Sequence, residues 1–169
     1  MERPYLIISD VHGDSDAMHR LREAERHFEA RGILSAGDLC PDPYDYSFSG
    51  IQGVRGNTDR FYEYGDIPFP PLVYRTRLFG RDTVITHGDR MWVDDFEMEE
   101  GGIFISGHTH VPGIRKEKGI YLFNPGSASR PRSSSGPTAG LLGEDYLAFF
   151  SLVDFTLISS LAFSTEKIS

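Results

Sequence analysis

The sequence predicts an α/β fold in a single domain spanning residues 1–169. Three observations lead there. An apolar run, an amphipathic stretch and a second apolar run follow one another between Tyr5 and Gly37, the order of a βαβ unit. Five short apolar runs end on residues of metal-ligand type, where open α/β sheets assemble their sites. The chain of 169 residues is long enough for one sizeable core and short for two.

Tyr5 to Ser9 reads as a buried strand. Asp14 or Ser15 can then cap a helix. Ala17, Leu21, Ala24 and Phe28 form its apolar stripe to about Ala30, and Gly32 is the expected stop. Ile33 to Gly37 is a second buried strand, which predicts a parallel first sheet. Cys40 to Gly53, rich in Pro, Asp, Tyr and Ser, reads as a loop, and so does the stretch holding Pro68, Pro70 and Pro71. "LVYRTRL" and "DTVITHG" are strands joined near Gly80. The acidic "MWVDDFEMEE" is a loop or short helix. "GIFIS" and "IYLFN" are strands, and Ser127 to Pro137 is a loop. The apolar C-terminal third is expected to be a three-stranded meander. No internal repeat is visible.

The net charge is −8 and the pI about 5.2, which disfavours non-specific binding of nucleic acid or anionic membrane. The single cysteine, Cys40, allows no intrachain disulfide and suits a reducing compartment. The N-terminal apolar run is too short for a signal peptide, and no segment has the apolar length of a membrane span. A cytoplasmic protein is expected.

His19 and His27 fall on the helix, away from its apolar stripe, and read as solvated surface residues. The other four histidines sit where strands run out. His12 follows Asp10 by two residues, His87 ends "VITHG", and His108 and His110 end "ISGHTH". Asp38 in "AGDL" and Asn57 in "RGNTD" occupy similar places. In extended backbone, i and i+2 share a side, so Asp10 and His12 can reach one metal, and His108 and His110 can serve two neighbouring ions. Each motif alone is weak, since Asp-x-His is often accidental and Gly-Asn often a turn. Together they form a mixed nitrogen and oxygen set too large for one tetrahedral ion. Such a set suits two ions about 3.5–4 Å apart with a bridging carboxylate. Mn²⁺ is the first expectation, with Fe²⁺, Ni²⁺ and Zn²⁺ as alternatives.

The ordered blocks "SDVHG", "GDL", "RGNTD", "THGD" and "GHTH" resemble the signature of the calcineurin-like metallophosphoesterase superfamily. With "NPGS" at Asn124 to Ser127 and the small size, the chain is similar to the YfcE-type phosphodiesterase branch, which includes the retromer subunit Vps29. The resemblance runs from about Leu6 to Leu142. It implies a two-sheet β sandwich flanked by helices, although this chain shows few helices and thin outer layers are expected. It implies Asp10, His12 and His110 on one metal, Asp38 bridging, and Asn57, His87 and His108 on the other. It places Asp38, Asn57, His108 and Asp59 in the catalytic set. Where many family members carry a proton-donating histidine, this chain has Thr58, whose hydroxyl has no useful acidity near neutrality. Good leaving groups, or protonation by water, are therefore expected.

The implied reaction is attack by a metal-activated hydroxide on a small phosphodiester. Two divalent ions, Asp10, Asp38 and the hydroxide sum to about +1, closer to a diester monoanion than to a monoester dianion. Asn57, Arg130 and Arg132 are the candidate substrate contacts, Arg132 foremost among Arg55, Arg60, Arg130 and Arg132, each of which also reads as an ordinary surface arginine. "NPGS" reads mainly as a turn packing below the metal loops. Cys40 is a packing residue or a redox-sensitive one, and the aromatics of Tyr44 to Phe48 are a surface loop or a cover for a substrate ring. Phosphomonoesterase or nucleotide pyrophosphatase activity is the enzymatic alternative, and a Vps29-like interaction scaffold the non-enzymatic one. Self-association through the C-terminal meander is open.

Overall fold

A computed structural model describes residues 2–163. Two mixed sheets pack face to face. Along the chain the elements are β1 (Tyr5–Ile8), α1 (Ser15–His27), β2 (Ile33–Ser35), β3 (Gln52–Gly53), β4 (Tyr74–Leu78), β5 (Arg81–Ile85), β6 (Ile103–Ile105), β7 (Gly113–Glu117), β8 (Ile120–Asn124), β9 (Thr138–Leu142), β10 (Tyr146–Ser151) and β11 (Leu157–Ala162). One sheet has the order β11-β10-β9-β1-β2-β3 and the other β4-β5-β6-β8-β7. The predicted βαβ unit is present, with β1, β2 and β3 parallel. The meander joins the same sheet antiparallel, through β9 against β1, so that sheet is mixed rather than wholly parallel. In the other sheet β5, β6 and β8 are parallel.

Side-chain alternation explains why the central strands read as unbroken apolar runs. Leu6 and Ile8 face α1, while Ile7 faces the second sheet. Ile103 and Ile105 fill the core between the sheets, while Phe104 lies on the outer side with Val84, Ile120 and Leu122. Helix α1 buries Met18, Leu21 and Ala24. Asp14 caps it by accepting from the Ala17 amide at 3.0 Å. Its end differs from expectation. The chain turns off at Glu29, whose φ is 52°, before Gly32 is reached. Helix α1 is the only α-helix among the described residues, so the outer layers are thin, and it is neither long nor apolar enough to cross a membrane.

Two strands were not legible in the sequence. β3 has two residues, and β7 carries the charged Arg115, Lys116 and Glu117 of an edge strand. The signal for β7 was the turn that follows it. Lys118 and Gly119, with φ of 49° and 81°, link β7 to β8 as a two-residue hairpin.

Candidate metal centre

The parallel strands of both sheets end at one rim, and the loops leaving them carry the ligand-type residues. Two groups of donor atoms form there, Asp10 with His12 and His110, and Asp10 with Asp38 and His87. Asp10 Oδ1 is 3.2 Å from His110 Nε2, 3.5 Å from His12 Nε2 and 3.9 Å from His87 Nε2. Asp38 Oδ2 lies 3.1 Å from His87 Nε2 and 3.9 Å from His12 Nε2, so it too spans both groups.

The backbone achieves this in a way the spacing argument did not anticipate. Asp10, His12, His108 and His110 are not extended. All four are left-handed, with φ between 51° and 71°, and Asp38 joins them at 55°. Left-handed backbone is uncommon outside glycine and costs roughly 1–2 kcal/mol per residue. It bends each loop over its strand end, and main-chain bonds from Asp10 to Gly37 and from His12 to Asp38 lock the first two loops together. Two glycines let backbone approach the carboxylates. A Cβ on Gly56 would stand 2.1 Å from Asp38 Oδ1, and one on Gly107 1.9 Å from Ser9 Oγ and 2.7 Å from Asp10 Oδ2.

The residues fit metal ions. Asp10 Oδ1 and His87 Nε2 are buried without a hydrogen-bond partner, a costly arrangement unless something else satisfies them. The Nδ1 atoms of His87 and His110 lie 2.8 and 2.7 Å from the carbonyls of Ala36 and Arg130. Carbonyls only accept, so each Nδ1 carries a proton and each Nε2 is the atom that faces the cluster, able to offer a lone pair to an ion in place of a proton. His12 and His110 bring their Nε2 atoms to 3.3 Å of each other, a close approach that a shared cation relieves.

The electrostatics of the metal-free site follow. Burial opposes the charged form of Asp38, but the hydrogen bond and charge of His87, with the Thr58 amide, outweigh it and bring the carboxyl down to about 2. Burial likewise opposes a charged His87, but Asp38 and then Asp10 push the imidazole up to about 9. A proton thus holds the place of a cation. Burial pushes the Cys40 thiol up to about 12, beside Thr58, which favours its packing role over a reactive one.

His108 and Asn57 are exposed, and His108 lies outside the two compact groups. The paired histidines diverge in their neighbours. The His110 ring lies 5.2 Å from that of His12, and the His108 ring 5.1 Å from that of His87. Asp59, expected in the catalytic set, is placed differently. Its carboxylate is buried and accepts the amides of Asp38, Gly56 and Cys40 and the hydroxyl of Tyr64, at 2.7 to 2.9 Å. Four donors leave it tying the Asp38 loop to the Asn57 loop, a positioning role. Arg130 and Arg132 are exposed and reach the site through their backbones, by the Arg130 carbonyl on His110 and the Arg132 amide on the His110 carbonyl. Arg55 instead donates to the Pro70 carbonyl and covers Phe69. Tyr44 and Tyr46 are exposed, whereas Phe48 is core.

Sequence reasoning missed the hydroxyls beneath the loops. Ser9 Oγ donates to Asp10 Oδ2 at 2.5 Å. Ser127 and Ser129 both donate to the Asp10 carbonyl, and Ser127 Oγ also accepts the Arg130 amide. "NPGS" therefore does lie under the metal loops, and Asn124 Nδ2 donates to the Gly107 carbonyl. Serines have no periodic signature, so nothing marked them.

Residues 4–145 match the model of the calcineurin-like phosphoesterase superfamily domain. Phosphodiesterase YfcE of Escherichia coli is 26% identical over 182 aligned positions, covering 93% of this chain and 96% of that one. A probable metallophosphoesterase of Methanothermobacter thermautotrophicus is 34% identical over 75% of this chain and 77% of its own. In fold, the chain is similar to the E. coli phosphoesterase YfcE, with a TM-score of 0.84 at 24% identity over 95% of this chain and all of that one. It is also similar to vacuolar protein sorting 29 of Cryptosporidium parvum, with a TM-score of 0.67 at 18% identity over 94% and 97%.

Proposed function

Since the chain belongs to the calcineurin-like phosphoesterase superfamily, we propose that it is a two-metal phosphodiesterase acting on a small phosphodiester. One observation carries the reading. Two donor groups share Asp10, and two of their buried atoms, Asp10 Oδ1 and His87 Nε2, make no hydrogen bond to any group outside the cluster. Divalent ions held there, Mn²⁺ foremost, would supply water activation and neutralise phosphate oxygens. The name of the YfcE relative supports the diester over the monoester.

The chain's own residues take separate tasks. Asp10, His12 and His110 would hold one ion and Asp10, Asp38 and His87 the other, with His108 and Asn57 as further candidate ligands of the second. Asp59 and Ser127 hold the loops in register. Arg130 and Arg132 stand at the rim with free guanidinium forks suited to a phosphate. Thr58 has its amide on Asp38 and its hydroxyl 3.4 Å from Cys40 Sγ, so it offers no acid for the leaving group. Diesters of acidic alcohols are therefore the favoured substrates.

The test is hydrolysis of bis-p-nitrophenyl phosphate beside p-nitrophenyl phosphate, with Mn²⁺, with EDTA, and in His108→Ala. Metal-dependent diester hydrolysis that falls in the variant supports the reading. Faster monoester turnover moves it to a phosphomonoesterase or pyrophosphatase. Full metal occupancy without turnover of either points to a scaffold, the role for which the Vps29 likeness offers a fold precedent.

A further inference from the structure

Beside the metal centre, on the outer side of the β4–β8 sheet, lies a cavity of about 360 Å³. Its floor is β7 and β8, through Ile114, Leu122 and Phe123, and Trp92 and Thr109 come from the segments that follow His87 and His108. One wall is Trp92, which stands edge-on to Phe104 with ring centroids 5.2 Å apart. Its segment is tied to the His87 strand end, because Thr86 Oγ1 donates to the Met91 carbonyl at 3.0 Å. The facing wall is Thr109, Val111, Pro112 and Ile114. Thr109 sits between His108 and His110, so its Cα is about 3.8 Å from each of theirs. The cavity therefore begins one residue from two candidate metal ligands. Its volume is at the lower end of small-ligand sites, which run from about 300 to 1,000 Å³, and suits one or two rings but not a polymer. The lining has the usual composition of such sites, an apolar and aromatic wall with a few polar groups, here Ser106, Thr109, Arg115 and Asn124.

We propose that this cavity is a subsite for an aromatic ring, aryl or nucleobase, on the alcohol group that the diester keeps after cleavage, not on its leaving group. The proposal rests on the phosphodiesterase reading. Trp92 stacks the ring or meets its edge, and the Val111–Pro112 wall closes on the other side. The phosphate stays at the metal centre, so the subsite selects the substrate without touching the reacting atoms.

Two esters with one leaving group separate this from general damage, bis-p-nitrophenyl phosphate and methyl p-nitrophenyl phosphate. In Trp92→Ala, kcat/KM for the bis-aryl ester should fall about tenfold through KM, with the methyl ester nearly unchanged. Val111→Glu, at an exposed position of the far wall, should give the same split if the tryptophan variant folds poorly. Binding has its own readout. Trp92 is the one tryptophan of the sequence, so tryptophan fluorescence reports its surroundings, and because Trp92 also borders a neighbouring cavity beside Val93 and Met98, the signal counts for this subsite only if Val111→Glu abolishes it. Diphenylphosphinate, which cannot be hydrolysed, should change it saturably in the Mn²⁺-loaded protein, and dimethylphosphinate should not. Equal losses on both esters, or a flat diphenylphosphinate titration, would overturn the subsite. If neither ester turns over in the unaltered protein, the phosphodiesterase reading fails, and the titration still decides whether the cavity takes an aromatic phosphoryl compound.

Discussion

The two donor groups of the rim share Asp10 but are held in different ways. His87 is fixed from within, its Nδ1 on the carbonyl of Ala36, a fully buried residue at the end of β2. His110 is fixed from outside, its Nδ1 on the carbonyl of Arg130 in an exposed loop. Asp38 has the same inner support, through Asp59 and Tyr64. His110 depends on the loop after "NPGS", which Ser127 and Ser129 staple to the backbone of Asp10 and Val11, while His12 is tied through its amide to the Asp38 carbonyl. One group is thus part of the core, and the other is assembled by a surface segment. The contrast suggests a tight ion and a readily exchanged one.

Replacing Asp10 by Ala should give the largest effect, because it strips both groups at once. Metal content by elemental analysis should fall to near zero and diester turnover by at least about a thousandfold. A variant that keeps one tightly bound ion would show that Asp38 alone can sustain the inner group. His110→Ala and His87→Ala should come next and differ from each other. Each should lower metal content from two ions to one, with the ion lost from His110→Ala being the weaker of the wild-type pair in a chelator titration. Equal losses of the tight ion would collapse the distinction.

The supports sharpen the same comparison more gently. Ser127→Ala removes a buried bond to the Asp10 carbonyl and loosens Arg130 over His110, at a cost of about 1–3 kcal/mol in unfolding free energy. It should weaken the exchangeable ion more than the inner one, because the bond to Arg130 serves His110 alone while Asp10 is shared. Tyr64→Phe removes one of four donors to Asp59, at about 1 kcal/mol, and should weaken the inner ion only. The remaining effect is electrostatic and confined to metal-free protein. His87 is raised to about 9, so its contribution to stability is complete below pH 6.5 and is lost as pH rises through 9. Asp38 is lowered to about 2, so its contribution is complete above about pH 4 and is lost as pH falls through 2. Denaturant midpoints in EDTA should therefore decline from pH 6.5 to 9, and saturating Mn²⁺ should flatten that decline.

Much of this was legible from residues alone. Apolar runs located the central strands because both faces of those strands are buried, so no polar residue interrupts them. The ligand types at strand ends marked the rim because chemistry restricts them to Asp, His and Asn. Two kinds of feature escaped. Edge strands such as β7 look like loops, since charge on an edge is what keeps it from pairing with another chain. Supporting hydroxyls such as Ser127 escape because their partners are main-chain atoms, which carry no sequence signal. The i, i+2 rule named the right residues for the wrong backbone. Asp10 and His12 converge through left-handed turns rather than a strand.

Those left-handed turns have an evolutionary consequence. Five ligand positions adopt a conformation that glycine or asparagine would occupy more comfortably, so the functional residues work against the thermodynamic preference of their own chain. Selection for catalysis must hold them in place continuously. A lineage of this fold that no longer needed metal would find the first replacements at the rim stabilising rather than harmful, and decay of the centre would proceed downhill while the sandwich beneath it persisted.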